Sequence, residues 1–150
     1  MRSIVKFIKL PFKTKLLLVE AYIFLGFSRF LIVTTPFKRI SKLLGSEYQE
    51  TAVSNDGINL KQVRQVSRAI QIMSKYTFWE SKCLAQSYTA TFMLSRRKLQ
   101  TTTYLGVAKD ETGNLIAHAW TRCGTVYVTG GNGGKFTVTG RFATRDALRG

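Results

Sequence analysis

Hydrophobic and polar positions follow a helical rhythm in the first two thirds of the chain and a strand-like one afterwards. Leu16 to Val33 is almost continuously apolar, broken by Glu20, Ser28 and Arg29. That predicts one long helix over 12–33. Thr34-Thr35-Pro36 stops it, because the residue before proline avoids helical angles. Pro36 suits the first turn of a second helix over 37–44, which Gly45 ends. Residues 46–59 are polar and hold the turn signal Asn55-Asp56-Gly57, so they read as a connector. Leu60, Val63, Val66, Ile70 and Met73 then recur at intervals of three and four, which predicts a third helix with one buried stripe. Lys61, Arg64 and Arg68 lie off that stripe, on a solvated face. Leu84, Tyr88, Thr91 and Phe92 repeat at helical spacing behind Cys83. They predict a helix that opens at the cysteine and closes at Arg96-Arg97-Lys98, where cations suit the helix dipole.

From Thr101 onward β-branched residues and glycine-bearing turns take over. Strands are expected over 101–108, 115–122, 125–129 and 136–140. Cys123-Gly124 reads as a two-residue hairpin loop, and Gly130-Gly131-Asn132-Gly133-Gly134 as a flexible bend. With that loop, Trp120 would lie opposite Tyr127 and His118 opposite Thr129. Helices followed by an antiparallel sheet indicate the α+β class. No repeat is visible, and the tail after Ala143 reads as loosely held. Trp79 and Trp120 read as core aromatics, with Trp79 placed to line a cleft beside Cys83.

Composition sharpens this picture in one respect. The chain has 150 residues, 45% of them hydrophobic, enough for one domain with a real core. Its net charge is +15, from 23 basic and 8 acidic residues. Residues 1–45 carry nine Lys or Arg against Glu20 alone. Such a surplus favours an anionic partner: nucleic acid, a membrane surface or an acidic peptide. The aromatic residues fall in apolar stripes rather than in a stacking motif, which argues against nucleic acid. A charged residue near each end of the apolar run is costly in lipid and natural in a docked helix. A core-packed or amphipathic helix is therefore the first reading of 12–33, peripheral membrane contact the second, and a true span the third. Two cysteines make a disulfide framework implausible.

The candidate chemistry is nucleophilic. A helix start has unpaired N–H groups and a partial positive charge, which favour the thiolate form of a cysteine placed there. His118 is the one histidine in the chain. Cys123 is five residues further along the same strand, so its side chain points to the opposite face. Cys83 is the cysteine free to approach from another element. A helix-start cysteine and a strand histidine form a constellation for thiol acyl transfer. The group fixing the imidazole is expected at Thr129 or just beyond, with Asn132 the nearest amide. One histidine and two cysteines on different faces do not converge on a metal.

SKCLAQSYTATFMLSRRKLQTTTYLGVAKD and AHAWTRCGTVYVTGG, together with LIVTTPFKRISKLLG at the front, resemble the leader peptidases of lasso-peptide biosynthesis. The likeness is to the stand-alone form of that family of small bacterial cysteine proteases. It implies a transglutaminase-like, papain-related core at 46–150 behind a basic helical lead-in at 1–45, the two forming one compact unit. It also implies proteolytic removal of the leader from a ribosomally made precursor peptide. Cys83 would be the nucleophile and His118 the general base. The family's acidic third member falls where this chain has Gly130 and Gly131, so Asn132 or Thr129 substitutes, or a dyad suffices. The partners implied are the precursor, a separate leader-recognition protein and an ATP-using cyclase, in the cytoplasm or at the inner face of the membrane. No cofactor is implied. Two other classes remain: a transglutaminase or acyltransferase on the same fold, and a non-catalytic basic binding module.

Overall fold

The computed structural model describes residues 2–77 and 82–144. The expectations for Trp79 and for residues 145–150 lie outside the described residues. Among those described, the chain runs α1 (Arg2–Ile8), α2 (Phe12–Thr34), α3 (Phe37–Ile40), a 3-10 turn (Ser41–Leu44) and β1 (Ser46–Glu47). It continues with α4 (Leu60–Ser74), α5 (Cys83–Arg96), β2 (Thr102–Lys109), β3 (Leu115–Cys123), β4 (Val126–Thr129) and β5 (Thr137–Ala143). This is the α+β arrangement, helices first and an antiparallel sheet after them. Two short pieces, α1 and β1, went unseen in the sequence, and the 37–44 helix is half α and half 3-10.

The sheet order is β1-β5-β2-β3-β4, and each pair is antiparallel. α5 packs across β3 and β4, α4 packs on β4, and α2 packs on both of those helices. The molecule is therefore layered as sheet, then α4 with α5, then α2 on the outside. The core between these layers holds Leu18, Leu25, Val63, Ile70, Met93 and Val128 among others. Each such side chain contributes roughly 1.5–3 kcal/mol by leaving water.

Two of the polar residues that interrupt the long apolar helix, Ser28 and Glu20, find a use in this packing. Ser28 is buried, and its hydroxyl lies 3.1 Å from that of Thr89 on α5. Glu20 accepts two hydrogen bonds from Arg97, at 2.6 and 2.9 Å, and a third from Arg96 at 2.7 Å. α4 starts where Asn59 Oδ1 accepts the N–H of Gln62, an N-cap of the usual kind. Its buried stripe contains Val63, Val66 and Ile70, as the spacing required.

The β3–β4 hairpin differs from the expected one. Cys123 is the last residue of β3, paired with Val126, and Gly124 and Thr125 form the loop. A bulge between Thr121 and Arg122 then places Thr129 opposite Thr121. β4 ends at Thr129, so β3 runs on past it through Ala119, His118 and Ala117 with β2 on one side and, on the other, the turn at Gly130 in place of a paired strand. The fit of Cys123 into the core explains the shift: it is fully buried among residues of the α4–α5 layer.

Candidate active site

Cys83 is the first residue of α5, with Lys82 as an extended N-cap that makes no side-chain capping bond. Among the described residues no side chain caps this helix start, which leaves its N–H groups for other acceptors. Cys83 is half-buried and lines an open cleft of about 330 Å³ together with His118. The other walls come from Phe37, Leu84, Leu105, Val107 and Ala117, with Thr139 at the rim. The candidate nucleophile and the candidate base thus share one mostly apolar cleft.

They do not touch. Among the described residues no hydrogen bond joins Cys83 to His118. Strand alternation supplies the reason. Thr121 and Cys123 face α5, since Thr121 bonds Thr103 at 2.9 Å, Thr103 lies against Thr91 of α5, and Cys123 sits in the helical core. His118 therefore faces the other way with Trp120. The alternation that removes Cys123 from the imidazole also turns the imidazole from the body of α5. His118 meets the cleft where β3 has lost its neighbour β4.

A bed of aromatic rings holds the imidazole there. Its ring centroid is 4.8 Å from that of Phe136 and 5.8 Å from that of Trp120, both stacked, and Trp120 stacks in turn on Tyr104 at 5.6 Å. Nε2 lies 2.7 Å from the carbonyl oxygen of Gly130. A carbonyl only accepts, so Nε2 carries the proton and Nδ1 is the nitrogen with a lone pair to act as base.

The expected third residues lie elsewhere. Asn132 is exposed, and its Oδ1 accepts the N–H of Gly134 at 3.0 Å. Thr129 is buried, and its hydroxyl lies 3.3 Å from Ser87 of α5. The atom beside the imidazole is the Gly130 carbonyl, a main-chain group that no side-chain pattern could have revealed. Two glycines of the run, Gly130 and Gly133, are packed rather than loose. Gly130 has φ +74°, and a Cβ there would stand 2.3 Å from the Ala119 carbonyl; Gly133 has φ +85° and would meet the Trp120 ring at 2.4 Å. Bare backbone is what lets this turn close over Trp120 and present its carbonyl to His118.

The second cysteine has no part in this cleft. Burial pushes the Cys123 thiol up to about 11, with the neighbouring Arg122 charge pulling the other way. It behaves as a small core hydrophobe.

The sequence profile of the transglutaminase-like superfamily matches residues 31–141, so the chain belongs to that superfamily. The superfamily is generally catalytic and includes both cysteine proteases and acyltransferases. No curated protein and no solved structure matches the chain. The match begins within α2 and takes in both Cys83 and His118.

Proposed function

We propose that the chain is a cysteine peptidase that cuts the leader from a ribosomally made lasso-peptide precursor. In this reading a separate leader-recognition protein delivers the precursor, and an ATP-using cyclase takes over the freed core peptide. The observation that carries the peptidase reading is the shared cleft, with Cys83 at the first turn of α5 and His118 at its edge. Superfamily membership supports the chemistry, and the order of the Cys-Leu, Leu-Gly-Val and His-Ala-Trp segments supports the substrate class.

The steps follow from the groups present. Nδ1 of His118 takes the Cys83 proton, and Sγ attacks the carbonyl carbon of the leader–core bond. The Cys83 backbone N–H, one of the unpaired donors of the helix start, faces the developing oxyanion. The C–N bond breaks as His118 returns the proton to the leaving amine. Water then hydrolyses the thioester and frees the leader as a carboxylate. The proton transfer needs the imidazole to come off its aromatic bed toward the sulfur, a tightening that belongs to the substrate complex. Gly130 orients the imidazole through its carbonyl. Asn132 acts one step behind, as a positioning residue that holds the glycine turn through Gly134.

Cleavage of the precursor in the presence of the recognition protein tests this directly. The expected products are leader and core, with Cys83→Ala and His118→Ala inactive and Cys123→Ala retaining most activity. A Cys83→Ala variant as active as the parent would end the assignment. The acyltransferase reading, which the superfamily also accommodates, predicts that an added amine ends up on the leader carboxyl group. Mass analysis of the products separates the two.

A further inference from the structure

The outermost layer of the molecule presents an apolar face that the described residues leave largely open, with Phe27 alone on it touching a ring of the fold, that of Phe92 at 5.8 Å. Phe12, Leu16, Ile23, Phe27, Phe30 and Val33 are between 47% and 72% exposed, all on one helix. At about 100° per residue they spread over an arc of roughly 120°, opposite the buried Leu18, Ala21, Leu25 and Ser28. The helix is apolar on both faces, and among the described residues the fold buries only one of them, with Phe27 at the border against Phe92. At 23 residues and a mean hydropathy of 2.0 it is long and apolar enough to cross a membrane. The inner face argues against crossing. Extracting it would open the Ser28–Thr89 and Glu20–Arg97 bonds and strip the cover from α4 and α5.

Charge points to what covers the outer face. Lys6, Lys9 and Lys13 are exposed at one end of the stripe, and Lys38, Arg39 and Lys42 at the other. The only acid in residues 1–45, Glu20, is already paired with Arg96 and Arg97. A second copy of the chain is disfavoured, because parallel or antiparallel apposition would set one basic cluster against another. The six exposed side chains also carry no hydrogen-bonding group, whereas a protein interface typically carries about one hydrogen bond per 100–200 Å². An apolar strip without polar atoms, fenced by lysines at both ends, fits acyl chains below anionic headgroups.

We infer that the outer face of α2 docks the protein on an anionic lipid bilayer, with the helix lying in the plane of the interface. Apolar side chains enter the boundary between headgroups and acyl chains, and the two basic clusters meet phosphates on either side. This does not rest on the chemistry proposed for Cys83.

The test is sedimentation of the full chain with phosphatidylcholine vesicles, with and without phosphatidylglycerol. The protein is expected to pellet with the anionic vesicles and to be released by salt. Lys6→Gln/Lys9→Gln/Lys13→Gln is expected to weaken that binding roughly a hundredfold, at about fivefold for each charge. Ile23→Glu/Phe30→Glu is expected to abolish it with the near-ultraviolet circular dichroism unchanged. Should the glutamate variant fail to fold, Ile23→Gln/Phe30→Gln takes its place. Failure of the full chain to pellet with anionic vesicles would overturn the inference. So would unchanged binding by a folded apolar-face variant, or vesicle-free dimerisation abolished by the same substitutions.

Discussion

Cys83 and Cys123 have the same side chain and opposite fates, and the difference is set by water. Cys123 has no exposed surface, and desolvation raises its thiol to about 11, while Cys83 stands half-buried at the mouth of a cleft. At about pH 8 iodoacetamide is expected to modify Cys83 alone, with Cys123 reacting only after denaturant unfolds the core; peptide mass mapping checks this. Gly130 is the second residue whose environment decides its role. Gly130→Ala places a Cβ against the Ala119 carbonyl at positive φ. A cost of roughly 2–4 kcal/mol is expected in denaturant unfolding. Cleavage is expected to fall in the population that remains folded, because the carbonyl that holds Nε2 moves with the turn.

At the scale of elements, α2 was legible because its long apolar run stops at Thr34-Thr35-Pro36, and α4 and α5 because their apolar residues repeat with the helical period. The Cys83 helix start was legible for the same reason. The β3–β4 register was not, since a bulge has no sequence mark of its own and burial of Cys123 outweighed the turn propensity of Cys123-Gly124. α1 and β1 are too short for a period to show. The tie between α2 and α5 was half visible: Glu20 stood out as a charge in an apolar run, but its partners lie 76 and 77 residues away. Burial works to raise the Glu20 carboxyl, and the hydrogen bonds and charges of Arg97 and Arg96 outweigh it, so the net shift is downward. A carboxyl lowered by folding stabilises fully above its ordinary value of 4.5, and that stability is lost as pH falls through the lowered value. Glu20→Gln is expected to cost about 1–3 kcal/mol at neutral pH and to flatten the acid limb of the stability profile. Most of that is the half-buried Arg97 pair, because the Arg96 side chain is 61% exposed and its share is screened. Thermal unfolding at a series of pH values reads both effects.

The whole molecule is held together at its far end by one buried cation. Arg122 donates to the carbonyls of Thr51, Ala52 and Gly124 and to the hydroxyl of Tyr104, which ties the connector after β1 to the sheet. Arg122→Leu leaves the carbonyls of Thr51 and Gly124, two buried residues, and that of Ala52 without that donor, and a loss of about 3–5 kcal/mol is expected in urea unfolding. Arg122→Lys is expected to recover little, because an ammonium cannot reproduce the fork. From the sequence Arg122 was one more unit of a +15 surplus. Position in the fold separates such structural cations from those at the ends of α2, and composition alone could not.

Trp120 lies against the imidazole it shares a strand with, and the chain has one other tryptophan, Trp79. Indole emission is sensitive to an adjacent imidazole and to its protonation. In a Trp79→Phe background, the light from Trp120 becomes a reporter of whether His118 is stacked or has swung toward the sulfur. Stopped-flow mixing with precursor would then time that swing against peptide-bond scission, without any label attached.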